Sequence, residues 1–180
     1  DAGDVVPSKE KLGARIRSRV ASLFRRSSSK VESPLASNDV GEVRNLDKLI
    51  PYSRSVMDKV REILSAGRKA ITVGGDHSIA MATIAGALEH FQGDLGVIWI
   101  DAHADINLPK YEDRGSRSAN AHGMPVAHLM GLEGTNPELA GLASKSNRLK
   151  PGNIIYIGLK DLDPEEIAYL DSMGITYFTV

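Results

Sequence analysis

Leu95-Gly96-Val97-Ile98-Trp99-Ile100-Asp101-Ala102-His103-Ala104-Asp105-Ile106-Asn107 is the stretch whose reading decides the fold. Its first half is a short, continuous apolar run, the pattern of a strand buried on both faces. At Asp101 the character changes abruptly. Asp101, His103 and Asp105 are separated by single residues, and in an extended chain positions i, i+2 and i+4 point the same way. The three side chains can therefore converge on one point. Oxygen, nitrogen and oxygen donors suit a hard or borderline divalent cation such as manganese. Placed after an apolar strand they have no packing purpose. Two carboxylates left together there would repel and resist ionisation, and a bound cation removes that penalty.

Upstream, Ala70-Ile71-Thr72-Val73 reads as another short strand, running into Gly74-Gly75-Asp76-His77-Ser78. The two glycines allow a tight turn into a helix, and His77 at the mouth of that strand is placed to be a fourth ligand. Residues 47–66 read as a helix with Asp47 as N-cap and Gly67 just past the end. A second helix is expected over 78–91. Downstream come a polar loop over 106–121 and a short helix from His122. A turn at Pro151-Gly152-Asn153 follows, then a strand over 154–157, a helix over 164–173 and a strand over 176–179. Strands alternating with helices predict a parallel sheet covered on both faces, with the strand C-terminal ends along one edge. Taken singly, Asp-x-His is compatible with a surface turn, and Gly-Gly-Asp-His with a helix cap through Asp76. Together, at strand ends of one sheet, they favour a metal site.

Composition narrows the classes. With 180 residues and 42% hydrophobic content the chain can bury one core. A net charge of −1 and 5% aromatics give neither the basic field nor the stacking surface of a nucleic-acid binder. The absence of cysteine excludes disulfides, thiolate zinc sites and a cysteine nucleophile. No apolar run approaches the roughly 20 residues that span a bilayer. From Lys9 to Lys30 there are eight Lys or Arg against one acid, Glu10. Leu12, Ile16, Val20, Leu23 and Phe24 fall there at helical spacing, so this segment reads as a short basic amphipathic helix. A membrane-surface or partner-binding role is one reading, and a solvated insertion is the favoured one. Residues 1–45 are accordingly separated, as an N-terminal segment with a basic insertion, from a regular region over 46–180.

Gly74-Gly75-Asp76-His77-Ser78 and Asp101-Ala102-His103-Ala104-Asp105-Ile106-Asn107 resemble the first two metal signatures of the arginase, agmatinase and formiminoglutamase (ureohydrolase) superfamily. Ser118-Ala119-Asn120-Ala121-His122-Gly123 is similar to the arginase Ser-Gly-Asn-x-His-Gly loop. Gly158-Leu159-Lys160-Asp161-Leu162-Asp163-Pro164 is similar to its Gly-Leu-Arg-Asp-Val-Asp-Pro stretch. Asp1-Ala2-Gly3-Asp4-Val5 resembles a segment before the first helix of the arginase core. The chain departs from the pattern in Ala119, which replaces the loop glycine, and in extra residues around Tyr111 to Arg114. The family's later Asp-x-Asp metal pair, its guanidinium-binding glutamate and its opening strand have no counterpart here.

The resemblance implies an α/β fold, a three-layer α-β-α arrangement with a mostly parallel sheet of the arginase/deacetylase-like type, incomplete in this chain. Residues 46–180 would be the N-terminal portion of the catalytic domain. It implies two Mn2+ ions held partly by His77, Asp101, His103 and Asp105, with Asp101 bridging, and hydrolysis of L-arginine to L-ornithine and urea. Asp105 would pass a proton to the leaving amine and His122 would shuttle protons. Asn107, Ser118 and Asn120 would bind the substrate carboxylate, and Asp163 its amino group. A homo-oligomer when complete, no nucleic-acid partner, no transmembrane segment, and a cytoplasmic location with a mitochondrial alternative complete the expectation. Two rivals stand beside it: an agmatinase-like guanidino hydrolase, and a catalytically silent truncated form that pairs with full-length subunits. His90, His128 and Trp99 read as structural, and Asp161 and Glu166 as supports for the substrate loop or caps of the 164–173 helix.

Overall fold

The computed structural model describes residues 42–109 and 118–180. The basic segment at 9–30, the stretch 1–5 and the lengthened loop around 111–114 lie outside the described residues.

Helix α1 (Leu46–Ser65) and helix α2 (Ile79–His90) occupy the two expected helical stretches. Asn45, not Asp47, is the N-cap of α1; it adopts a left-handed conformation and makes no side-chain cap bond, while Asp47 lies in the first turn. Its acid still faces the positive end of the helix dipole. Gly67 ends the helix with φ +69°, where a side chain would be strained. The two helices pack closely through Gly86: a Cβ there would lie 2.7 Å from the Met57 carbonyl oxygen. That approach buries Ala82, Ala85 and Leu88 of α2 completely.

Strands β1 (Val97–Ile100), β2 (Ile154–Leu159) and β3 (Thr176–Thr179) form a parallel sheet in the order β1-β2-β3. Short helices α3 (Pro125–Met130) and α4 (Pro137–Ala140) follow β1, and α5 (Pro164–Ser172) links β2 to β3. Cross-strand register puts Trp99, Tyr156 and Tyr177 in one row, and Ile100, Ile157 and Phe178 in the next. Successive strand residues alternate between faces. The Trp99 and Tyr156 face is packed in the core, whereas Ile98 (67%), Ile100 (77%), Ile157 (41%) and Phe178 (54%) are exposed on the other. The described residues thus supply a parallel α/β sheet with one face covered, two of the three layers expected.

The strand expected at 70–73 is not formed. The segment has no ladder bonds, and Ile71 and Val73 are about nine-tenths exposed (89% and 92%). A β-branched run becomes a strand only when a neighbour takes up its backbone donors and acceptors, and no described residue does so.

Candidate metal centre

The centre lies where β1 and the Gly74–Ser78 turn end side by side. His77 reaches Asp105 at 2.7 Å (Nδ1 to Oδ2) and Asp101 at 3.6 Å (Nδ1 to Oδ2). Ligand atoms from His77, Asp101 and Asp105 all fall within 4.8 Å of one another. His103 stands beside them, its Nδ1 3.3 Å from Asp101 Oδ1, with its ring mostly in solvent. The structure therefore brings three of the four expected ligands into one cluster and leaves His103 at its rim. The Trp99 ring supports His77 from below, centroid to centroid at 5.1 Å.

Backbone bonds aim these side chains. Ala102 carbonyl accepts from Lys160 N–H (2.8 Å) and Asp161 N–H (3.0 Å), and Asp101 N–H donates to Ile157 carbonyl (3.2 Å). Tyr156 hydroxyl donates to Ala104 carbonyl at 2.9 Å. Asp105 takes φ +48°, a region a side-chain-bearing residue seldom visits, although Asp tolerates it better than most. Asn107 N–H donates to Gly123 carbonyl at 3.1 Å.

Burial pushes the Asp105 carboxyl above its ordinary range; the neighbouring Asp101 charge adds to this, and His77 opposes it without cancelling it. Glu166, also buried, is raised chiefly by burial, with contributions from the Asp163 and Asp105 charges. A divalent cation among His77, Asp101 and Asp105 would relieve this crowding of carboxylates, so the donor set fits one.

His122 is exposed at a short 3-10 turn, its Nδ1 3.6 Å from Asp76 Oδ2. Burial acts upward on Asp76, but hydrogen bonds from Ser78 and the His122 and His77 rings outweigh it and hold this carboxyl below its usual value. His122 lies between two cavities. One, of about 380 Å3, is lined by His103, Asp105, Asn107, Asp163 and Glu166 among others. The other, of about 750 Å3, is lined by Asp76, Ser78 and Asn120 with Arg44 and Lys48. Asn107 Nδ2 donates to Asp163 Oδ2 at 3.2 Å, so these two expected substrate contacts meet. Ser118 and Asn120 are joined instead to each other, Asn120 N–H donating to Ser118 Oγ at 3.3 Å. The four candidates do not line one cavity.

The Arginase family model matches residues 11–180. The arginase of Eremothecium gossypii is 43% identical over 145 residues, covering 81% of this chain and 35% of that protein. Arginase-1 of Homo sapiens is 39% identical, covering 77% of this chain and 42% of its own length. The chain belongs to the arginase family. The native arginase structure from Bacillus caldovelox agrees in fold, with TM-score 0.68, 33% identity and coverage of 81% and 46%. The formimidoylglutamase of Bacillus subtilis, at 20% identity and TM-score 0.54, shares the fold alone. This arginase-family chain spans less than half the length of these relatives.

Three residues of the site carry little sequence signal. Tyr156 follows no pattern that marks it for the Ala104 carbonyl, and Asp76 reads only as a cap. Glu166 is legible as a helix-cap acid, but its reach to Ile106 is not. Two structural assignments agree with the sequence: His128 is fully buried and Trp99 lies in the core, with its indole N–H unpaired among the described residues.

Proposed function

We propose that this chain carries part of a manganese site for hydrolysis of the L-arginine guanidinium group to L-ornithine and urea. The observation that carries the reading is the convergence of His77, Asp101 and Asp105 donor atoms within 4.8 Å just past the end of β1. His77, Asp101 and Asp105 would hold the ions, and His103 would turn its imidazole toward the same centre. When bound, a pair of Mn2+ ions supplies an acidified, oriented water and polarises the guanidinium. Asp105, held against His77 at 2.7 Å, would pass a proton to the leaving amine. Exposed His122, oriented by Asp76, would exchange protons with solvent. Asp163 would face the substrate ammonium, and Asn107, Ser118 and Asn120 its carboxylate, charge against charge and neutral donors against an anion.

Residues 46–180 then act as the N-terminal portion of a catalytic domain, with residues 1–45 a separate segment. A homo-oligomer when complete and a cytoplasmic or mitochondrial setting belong to the same proposal. Among the described residues no helix is long and apolar enough to cross a membrane. The open sheet face at Ile98, Ile100 and Phe178 favours one second reading, a silent form that pairs with longer subunits.

Urea release from L-arginine by this chain, titrated with Mn2+ and run beside agmatine, tests the proposal. Arginine-selective release that Asp101→Asn and His103→Ala abolish supports it, and faster release from agmatine supports the guanidino-hydrolase rival. Mn2+ binding without turnover, together with stoichiometric capture by a full-length arginase, supports the silent form. Absence of Mn2+ binding by calorimetry overturns the metal centre.

A further inference from the structure

Glu166 is 3% exposed, and each of its carboxylate oxygens has its own backbone partner. Oε2 accepts from Asp163 N–H at 3.0 Å, closing a capping box at the start of α5. Oε1 accepts from Ile106 N–H at 3.3 Å, sixty residues away in sequence. The first bond serves the helix. The second has no capping purpose.

Ile106 N–H and Asp105 carbonyl belong to the same peptide plane. Val126 N–H donates to that carbonyl at 3.0 Å, so the plane is gripped from both sides, by α3 and by Glu166. That grip sets ψ of Asp105, the residue with φ +48°. A backbone in a sparsely populated region persists only where its surroundings over-determine it, and such strain gathers at functional sites. Released, the chain would relax and swing the Asp105 carboxylate off His77. Through its other oxygen Glu166 also holds Asp163, which pairs with Asn107 across the smaller cavity.

We infer that Glu166 is a positioning residue for the metal centre, bridging Ile106 N–H and Asp163 N–H so that Asp105 keeps its left-handed turn beside the substrate-facing Asp163 loop. The inference rests on the metal centre of the proposed function. Only a carboxylate offers acceptors at both ends. A glutamine has one oxygen, so its amide NH2 must face one of the two N–H groups.

Two full-length variants, Glu166→Gln and Ala168→Gly, separate positioning from helix support. Ala168 is exposed on α5, so its change to glycine weakens the helix without touching the bridge. Mn2+ affinity by calorimetry, amide exchange at Ile106 and the melting temperature are measured for each. Glu166→Gln should weaken Mn2+ binding about ten- to a hundredfold, as loss of a supporting contact around metal ligands does, and speed exchange at Ile106. Ala168→Gly should lower the melting temperature while leaving both readouts unchanged. Unchanged Mn2+ affinity and Ile106 protection in Glu166→Gln overturns the inference, as does equal loss of Mn2+ binding in both variants. If the wild-type chain binds no Mn2+, the metal centre itself fails, and Ile106 exchange then decides the bridge alone.

Discussion

Lowering the pH should remove about 3 kcal/mol of folding stability through one side chain, His128. The ring is fully buried on α3. Its Nδ1 is 2.9 Å from Met124 carbonyl and its Nε2 accepts from Asn136 N–H at 3.2 Å. These partners assign the proton to Nδ1 and the lone pair to Nε2. Protonation would leave a charge in the core and set an N–H against the Asn136 N–H. Burial therefore lowers the pKa from 6.5 to about 4, against a smaller upward pull from the Met124 bond. A histidine with a depressed folded pKa contributes stability that is present above 6.5 and lost as pH falls. Linkage over that interval amounts to about 2 kcal/mol by pH 5 and about 3 kcal/mol by pH 4. Urea denaturation of wild type and His128→Gln at pH 7.5, 6, 5 and 4 is the assay. Glutamine offers an NH2 to Met124 and an oxygen to Asn136 without titrating. Asp105 and Glu166, with raised pKa values, change stability in the opposite sense, but equally in both proteins. The wild-type advantage should shrink with falling pH by the stated amounts, and parallel profiles would refute the neutral, hydrogen-bonded histidine.

Gly86→Ala should destabilise the chain by about 1–2 kcal/mol in urea denaturation, because overpacking against the Met57 carbonyl exceeds the gain in helix propensity. An increase in stability would show that α1 and α2 part easily. Asp105→Asn keeps a residue tolerant of positive φ while removing a carboxylate that burial disfavours, so at pH 8 the metal-free variant should melt higher than wild type. Mn2+ should raise the wild-type melting temperature and leave the variant unmoved; the reverse pattern would remove Asp105 from the centre. The open face at Ile98, Ile100, Ile157 and Phe178 should make the chain self-associate and bind a hydrophobic dye, and Ile100→Thr with Phe178→Thr should reduce both. A monomer with a sharp, cooperative melt and no dye binding would contradict that.

The elements legible in the sequence are those whose signal is local. The α2 range, β1 and β3 follow from helical spacing and short apolar runs, and the candidate donors Asp101 and Asp105 from alternation after an apolar strand, which did not place His103 at the rim. What escaped depends on distant neighbours. Ala70–Val73 has the composition of a strand, yet the pairing that would make it one is not supplied by any described residue. The N-cap of α1 moved from Asp47 to Asn45 because a left-handed turn, fastened by Arg44 N–H donating to Ala119 carbonyl, sets where the helix begins. Helix α4 is four residues long, its start marked by Asn136, which accepts from Glu138 and Leu139 N–H, and by Pro137 at its first position.

The same division runs through the site. Asp101 to Asn107 contains the donors, but the partners of its peptide groups come from elsewhere: Ile157, Lys160 and Asp161 around the end of β2, Tyr156 within it, Gly123 and Val126 before and in α3, Glu166 in α5. Each takes a backbone group that would otherwise point idle beside the cavity, and together they hold one residue in a conformation that an isolated loop would abandon. The seven-residue motif therefore specifies which atoms can bind a cation, while geometry is specified by residues up to sixty positions away. It follows that grafting Asp101–Asn107 onto another strand end would transfer ligands without affinity. Variants of Tyr156 or Glu166, which touch no cation, should lose metal binding with every ligand still in place.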